Sequence, residues 1–213
     1  MNGYGSFSAL LLHETPGRDF VVEWRTGPSG LAVMAPHGGG IEPGTSEAAR
    51  SVARGPHSFY HLDGRKRKHN GTLHITSTRF DEPAARALAA ASWKVMTIHG
   101  CTHDDADVFL GGLDTRLRDL CARALTDAGF TVAAHPVFHG TQPENLCNRG
   151  RAGMGVQVEL SLKLRRRLFR SLDRLGRRHP TALFHALTEA LRRVLAREAR
   201  RVPSIPALKT DPS

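Results

Sequence analysis

The sequence predicts an α/β fold: a single domain with a mixed, largely parallel β-sheet flanked by helices, followed by basic C-terminal helices. Apolar runs typical of buried strands alternate with amphipathic stretches, a pattern that favours parallel strands with helical connections. The chain has 213 residues, of which 40% are hydrophobic, enough for one sizeable core. We expect this domain to span residues 1–201. The proline-punctuated tail, 202–213, is expected to be flexible.

Individual elements follow from periodicity and from turn signals. Strands are predicted at 19–24, 31–36, 73–78, 94–99, 130–135 and 155–161. Helices are predicted between several of them, at 45–53, 82–92 and 113–129. Pro83 suits the first turn of its helix, and Gly129 suits a C-terminal cap. A helix near the end of the chain is predicted from four apolar residues at helical spacing, opposite an arginine-rich face: Leu183, Leu187, Leu191 and Val194.

The net charge of +10 belongs to one segment of the chain. Residues 162–201 hold 13 Lys and Arg against three acids, whereas the remainder holds 17 residues of each sign. The body of the protein is therefore neutral, and its basic pI describes the C-terminal helices alone. No Trp or Tyr is interleaved with these helices, so the stacking platforms of single-strand nucleic-acid binders are missing there. Nucleic-acid binding is therefore the less favoured interpretation.

Cysteine usage and hydropathy indicate the cellular setting. Cys101, Cys121 and Cys147 are too few for a disulfide scaffold and odd in number, so free thiols in a reducing compartment are expected. No run approaches the roughly 18 apolar residues of a membrane span, and no charged-then-apolar signal opens the chain. We expect a soluble, cytoplasmic monomer without a membrane partner.

Imidazole and carboxylate side chains follow three of the predicted strands. LAVMAP leads to His37 and, after three glycines, to Glu42; KVMTI leads to His99; and GVQV leads to Glu159. Sites in open α/β sheets gather beyond the carboxyl ends of the strands, so we expect these four side chains to converge. Three His or Glu ligands, an open position and a nearby carboxylate are the composition of a catalytic zinc site.

The sequence therefore predicts that His37, Glu42 and His99 bind one Zn²⁺ and that Glu159 is the general base. The glycines allow the tight turn that brings His37 and Glu42 to one ion. An unpartnered carboxylate on the strand of Glu159 would cost several kcal/mol, so this residue needs a partner. Simpler explanations stay open. A histidine at a strand end often binds only a carbonyl, and a glycine run is often a turn or a weak phosphate cradle.

Seven segments in order resemble the poly-γ-glutamate hydrolases first known from phage, which are zinc enzymes with a carboxypeptidase-like fold. They are APHGGGIEPGTSEAA (35–49), SFYHLDG (58–64), LHITSTRFDEP (73–83), TIHGC (97–101), GGLD (111–114), NLCNRG (145–150) and GVQVELS (155–161). The resemblance implies zinc held by His37, Glu42 and His99. Glu159, followed by Leu160, is similar to the catalytic glutamate of the more distant zinc carboxypeptidases. The first two ligands of those enzymes are three apart, whereas here they are five apart, so the likeness concerns chemistry more than loop geometry.

Other polar residues in or near these segments are predicted to act on the substrate. Arg149 is predicted to stabilise the tetrahedral oxyanion, with Asn148 as a neighbouring donor. Arg79 is predicted to bind a substrate carboxylate in bidentate fashion. Asn70 and His74 are predicted to line the cleft.

Three of these predictions have an ordinary alternative. Arg149 could be a loop arginine facing solvent, Arg79 could pair with Asp81 or Glu82, and His74 could be a core histidine. A disulfide between Cys101 and Cys147, both in matched segments, also stays open.

The functional hypothesis is a zinc amidohydrolase that cleaves the γ-glutamyl bonds of poly-γ-glutamate, a polyanion. Two alternatives remain: the same zinc site acting on another peptide or cell-wall amide, or a nucleic-acid-binding protein that uses the basic helices.

Overall fold

The computed structural model describes residues 3–203, so most of the tail predicted as flexible lies outside the described residues. A seven-stranded sheet forms the centre of the fold. Its strands are β1 (Phe20–Arg25), β2 (Leu31–Gly39), β3 (Ser58–Gly64), β4 (Lys94–Gly100), β5 (Val108–Gly111), β6 (Val132–Ala133) and β7 (Val156–Leu160). The α-helices are α1 (Phe7–Leu11), α2 (Thr45–Val52), α3 (Pro83–Ala91), α4 (Thr115–Asp127), α5 (Leu162–Leu168) and α6 (Ala182–Ala199).

The middle of the sheet is parallel, which confirms the predicted fold class. The strand order is β1-β3-β2-β4-β7-β5-β6. β3, β2, β4 and β7 run parallel to one another, whereas β1 and β5 pair antiparallel with β3 and β7. The carboxyl ends of β2, β4 and β7 therefore meet at one edge of the sheet, where polar side chains can converge.

Helices cover both faces of the sheet, and each face has its own hydrophobic core. Val33 and Ala35 of β2 belong to a core completed by α2, α4, α5 and α6. Met34 of the same strand faces the opposite way, into a smaller core to which α1 and α3 contribute. β2 is buried along its whole length, as expected for a central parallel strand covered on both faces.

The helix boundaries follow the predicted capping signals. Pro83 is the first residue of α3, where its missing N–H costs nothing, and the Glu82 side chain caps the same end. Gly129 follows α4 with a φ of +88°, the left-handed conformation of a C-terminal cap. In α6, Leu187, Leu191 and Val194 are buried in the larger core, which confirms the predicted apolar stripe.

Three sequence predictions about the strands differ from the structure. The strand predicted at 73–78 is wrong: Asn70–Leu73 forms a 3₁₀ turn, and the chain after it is irregular. Leu73 and Ile75 are both buried, so the segment alternates as a strand does without joining the sheet. The predicted strand 130–135 is reduced to Val132–Ala133, and β3 and β5 were not predicted as strands.

Two expectations about the environment have structural counterparts. Cys101, Cys121 and Cys147 are all free and buried, so the possible Cys101–Cys147 disulfide is absent. Among residues 3–203, no helix combines the length and the apolar character that a membrane crossing requires.

Candidate metal centre

The three predicted ligands lie at the carboxyl ends of two central strands. His37 lies near the carboxyl end of β2, Glu42 follows in the loop after β2, and His99 lies near the carboxyl end of β4. The loop folds back so that the Glu42 N–H donates to the His37 carbonyl at 2.9 Å. Gly39 makes this possible because its φ is +65° and a β-carbon there would lie 2.3 Å from Asp63 Oδ1. The glycine run therefore brings two donors five residues apart to one point.

The donor atoms of the three side chains converge at one point beside the cavity. His37 Nδ1 lies 3.0 Å from Glu42 Oε1 and 3.1 Å from His99 Nδ1. His99 Nδ1 is 3.6 Å from Glu42 Oε2. Both imidazoles are buried, and the Glu42 side chain is 14% exposed. Such a group could hold one metal ion, since all its ligand atoms lie within 4.8 Å of one another.

Contacts outside this group fix the orientation of each donor. His37 Nε2 donates to the Ile75 carbonyl at 2.7 Å, so Nδ1 is the ring nitrogen that faces the other two donors. Gly100 N–H donates to Glu42 Oε2 at 2.8 Å, and Ser77 Oγ lies 3.4 Å from His99 Nε2. Partners of this kind orient metal ligands and set their tautomers.

The donor set suits zinc. Zinc at about 2.0–2.1 Å from two imidazole nitrogens in a tetrahedral arrangement holds them about 3.3 Å apart. The His37–His99 spacing of 3.1 Å is close to that value. Two nitrogens and one carboxylate leave a fourth position open to the cavity, which is typical of catalytic rather than structural sites.

The electrostatics of the group favour a bound cation. Burial raises the pKa of Glu42, but His37 and His99 outweigh it and hold that pKa well below its usual range. Burial lowers the pKa of His99, whereas Glu159 and Glu42 raise it, and the net result is a raised pKa. The carboxylates thus attract positive charge to the point where the two Nδ1 atoms face each other.

Glu159 lies beside the three donors. It sits in β7 directly opposite His99 in the parallel register, and only 6% of it is exposed. Gln157 Nε2 donates to Glu159 Oε1 at 3.0 Å, which provides the partner that a buried carboxylate needs. Burial raises the pKa of Glu159 to about 7, and the nearby Glu42 contributes to the rise. A carboxylate with a pKa near neutrality suits proton transfer at physiological pH.

A cavity of about 280 Å³ is lined by the three candidate ligands and the candidate base: His37, Glu42, His99 and Glu159. The segments 76–78 and 137–140 form other parts of its wall. A second cavity of about 670 Å³ also includes Glu42, His74 and Phe138 in its lining, and Arg79 contributes to its wall. The candidate metal centre therefore lies where two open spaces meet, and a chain-like molecule can reach it.

Arg149 and Asn148 lie beside the cavity rather than in its wall. Arg149 donates from Nε to the Glu144 carbonyl at 2.7 Å and from Nη2 to the Thr78 carbonyl at 3.4 Å. Asn148 is buried and donates to the carbonyls of Gly140 and Gln142. Both residues therefore fix loops that line the cavity, and their predicted contacts with the substrate stay predictions.

The other three predicted substrate residues lie in different places. The His74 ring packs on the ring of His37 at 3.9 Å between centroids and lines both cavities. Arg79 is exposed and, among residues 3–203, makes neither an ion pair nor a hydrogen bond through its guanidinium. Asn70 does not line the cavity: its amide bonds both backbone groups of Lys66, and it packs behind Gly40. Its role in substrate binding stays a prediction.

Two residues near the centre were not predicted from the sequence. Gln157 lies two positions before Glu159 on the same face of β7, so strand alternation could have indicated it. Arg165, in α5, contacts three chain segments next to the centre, and these segments are far apart in the sequence, so no local pattern indicates its role.

Comparison with known proteins places this chain in a family. The family model for poly-gamma-glutamate hydrolase matches residues 4–190. The UPF0714 protein YndL of Bacillus subtilis (strain 168) is 39% identical over 170 residues, which cover 78% of this chain and 66% of YndL. The chain thus spans slightly less than two thirds of that relative.

Solved structures agree with the sequence comparison. A bacteriophage poly-gamma-glutamate hydrolase superimposes with a TM-score of 0.90 at 31% identity, over 95% of this chain and all of the phage chain. A zinc-free apo structure of YNDL gives 0.86 at 34% identity, over 92% of this chain and 98% of that one. A match over nearly the whole chain, in sequence and in fold, shows that this chain belongs to the poly-gamma-glutamate hydrolase family.

Proposed function

We propose that this protein is a zinc-dependent hydrolase of the γ-glutamyl amide bonds of poly-γ-glutamate, with residues 1–201 as its hydrolase domain. The observation that carries the proposal is the convergence of His37, Glu42 and His99 beside Glu159 in an open cavity. Family membership supports the substrate class, and the existence of a zinc-free form of YNDL supports the choice of metal.

His37, Glu42 and His99 would hold the zinc ion. When bound, zinc lowers the pKa of a coordinated water towards about 7 and polarises the carbonyl of the substrate. The protein's part is to keep the three donors in place. The Ile75 carbonyl keeps the Nδ1 lone pair of His37 directed at the site, and the Gly100 N–H does the same for the Glu42 carboxylate.

Glu159 would move the proton. Its Oε1 is held by Gln157, which leaves Oε2 to accept a proton from the attacking water. In poly-γ-glutamate the leaving group is the α-nitrogen of the next glutamate, and Glu159 would return the proton to that nitrogen as the amide bond breaks. Burial raises the pKa of Glu159 to about 7 in the metal-free site, and the positive charge of a bound zinc ion would lower it, which would favour the carboxylate that accepts the proton.

Arg149 is the proposed donor to the oxyanion of the tetrahedral intermediate. A guanidinium has five N–H groups, and hydrogen bonds to the carbonyls of Glu144 and Thr78 use only some of them. Arg149 lies beside the cavity rather than in its wall, so this proposal requires the remaining N–H groups to turn towards the bound substrate. Asn148 would support this role by holding the 140–142 loop through its two amide hydrogen bonds.

Arg79 and His74 would recognise the substrate. Every residue of poly-γ-glutamate carries a free α-carboxylate, so its hydrolase needs cations beside the cleft. The salt bridge that could have occupied Arg79 is absent, because Asp81 accepts from the Phe7 N–H and Glu82 caps α3. Arg79 is therefore available to a carboxylate in the second cavity, and His74 offers a ring nitrogen between the two cavities.

The test is to incubate the purified, zinc-loaded protein with poly-γ-glutamate and to measure product size. We expect the polymer to be shortened, while α-linked polyglutamate of similar length and charge stays intact. Equal cleavage of the two polymers would reject the substrate. Cleavage of neither by a protein that binds zinc would point to a different amide.

A further inference from the structure

The buried guanidinium of Arg165 contacts three separate segments of the chain: the ends of β7 and β4 and the loop after β2. Only 4% of this residue is exposed. Its Nε donates to the Leu160 carbonyl at 3.2 Å, Nη1 to the Pro43 carbonyl at 3.1 Å and Nη2 to the Cys101 carbonyl at 3.1 Å. Each nitrogen of the guanidinium therefore donates a hydrogen bond to a different segment of the chain.

These three segments are the ones that carry the candidate centre. Pro43 directly follows Glu42, Leu160 directly follows Glu159, and Cys101 comes two residues after His99. The Leu160 carbonyl also accepts from Cys101 N–H at 3.0 Å, so the ends of β7 and β4 are tied to each other as well as to Arg165. A single rigid side chain thus sets the spacing between two metal donors and the general base.

The chain beside His99 is shaped to admit the guanidinium. A β-carbon on Gly100 would lie 2.7 Å from Arg165 Cζ and 2.7 Å from its Nε, so only glycine allows this approach. The Gly100 N–H meanwhile donates to Glu42, so the same residue contacts both the ligand and the arginine. The close approach indicates a specific contact rather than a side chain that merely fills space.

We propose that Arg165 is a positioning residue, which holds Glu42, His99 and Glu159 at the spacing required for zinc binding and proton transfer. This inference rests on the proposed function for its catalytic part, whereas its metal-binding part stands on the geometry alone. Removal of the guanidinium would free three carbonyls and allow the loop of Glu42 to move away from β4. Partners that orient metal ligands typically contribute about 10–100-fold to metal affinity or activity.

Arg177 offers a matched control. It too is a buried arginine of the C-terminal segment, and it pairs with Glu47 at 2.8 Å and donates to the Leu172 carbonyl at 2.7 Å. It lies in the wall of neither of the two cavities at the candidate centre. A substitution there removes a buried cation of equal size without touching a strand end that carries a ligand.

The experiment compares Arg165→Met, Arg165→Lys and Arg177→Met in the full chain, with zinc affinity measured by competition with a chromophoric chelator. Melting temperature, kcat and KM are measured on the same samples. We expect Arg165→Met to bind zinc about 10–100-fold more weakly than wild type. Its kcat should be lower, while its KM should change little. Arg165→Lys should be intermediate, because a compact ammonium cannot span three carbonyls. The melting temperature of Arg177→Met should fall, while its zinc affinity should stay close to that of wild type.

The outcomes separate this inference from the proposed function. Zinc affinity of Arg165→Met within about twofold of wild type would overturn the positioning role. An equal loss in Arg177→Met would overturn it too, since the effect would then be general loosening. If Arg165→Met does not fold, Arg165→Lys decides by the same criterion. A wild-type protein that binds zinc but leaves poly-γ-glutamate intact would reject only the proposed substrate, whereas one that binds no zinc would reject both.

Discussion

The Nδ1 atoms of His37 and His99 face each other at a distance of 3.1 Å, across the carboxyl ends of two parallel strands. His37 Nε2 donates to the Ile75 carbonyl, so Nδ1 is the ring nitrogen that points into the site. A carboxylate oxygen of Glu42 lies within 3.6 Å of each of these nitrogens. One shared cation would satisfy all three groups at once, and the experiments below start from that arrangement.

Replacement of Glu159 by Gln should separate proton transfer from metal binding. The amide keeps the size of the side chain and its hydrogen bond with Gln157 but cannot accept a proton. We expect zinc content and melting temperature close to wild type, with kcat lowered on the order of a hundredfold or more. Glu144→Gln, an exposed glutamate on a neighbouring loop, is the control and should keep its turnover. Near-normal turnover in Glu159→Gln would move the base to another residue.

Arg149→Ala tests the proposed donor to the oxyanion. Loss of such a donor typically costs about 100–1,000-fold in kcat. We expect a loss in this range at every salt concentration, because a direct hydrogen bond to the oxyanion acts at short range, where salt screens little. Arg151→Ala, two residues along and exposed, is the control and should have a small effect. A defect in Arg149→Ala that low salt repairs would assign this arginine to attraction of the substrate instead.

Charge reversal on α6 tests a role of the basic C-terminal segment in substrate capture. Arg193 is exposed, and Arg192 pairs with Glu189 beside it. We expect Arg192→Glu combined with Arg193→Glu to raise KM mainly at low salt, since exposed charges are screened within about 8 Å at physiological ionic strength. Arg79→Ala should raise KM at all salt concentrations. If the α6 variant lowers kcat at saturating substrate, this assignment is wrong.

The thiols should be inert in the folded protein. Burial raises the pKa of Cys121 and Cys147 to about 12 and that of Cys101 to about 11, so almost no thiolate exists at pH 8. Reactivity would grow only as pH rises towards these values. We expect a thiol reagent at pH 8 to label no cysteine in the native protein and all three after unfolding without reductant. A single labelled thiol after unfolding would instead indicate the Cys101–Cys147 disulfide.

The location of the candidate centre was predictable because it depends on strand ends. β2 and β4 are mostly apolar runs that lead to His37 and His99, and β7 (VQVEL) alternates apolar and polar residues with Glu159 next to its last position. Parallel strands bring such ends to one edge, so the meeting of His37, His99 and Glu159 follows from the fold class. The approach of Glu42 to His37 was also predictable, because the three glycines between them permit a tight turn.

Features that depend on isolated contacts were not predictable. The segment 73–78 alternates like a strand, but its backbone bonds go to scattered partners, such as Tyr4 N–H to the His74 carbonyl. The side-chain amides of Asn70 and Asn148 form hydrogen bonds with nearby backbone groups. No sequence motif predicts these contacts. In the sequence, Arg165 is one of several basic residues in α5, and its contacts with segments near the metal centre become visible only in the structure.

Zinc content of the His99→Ala protein tests the central claim most directly. The control is His61→Ala, a buried histidine that bonds Ser46 and does not line the cavity at the centre. Purified wild type and His61→Ala should each carry about one zinc per chain, because three protein ligands plus water complete a catalytic site. His99→Ala should carry almost none and should not cleave poly-γ-glutamate. Stoichiometric zinc in folded His99→Ala would contradict the assignment of the metal centre.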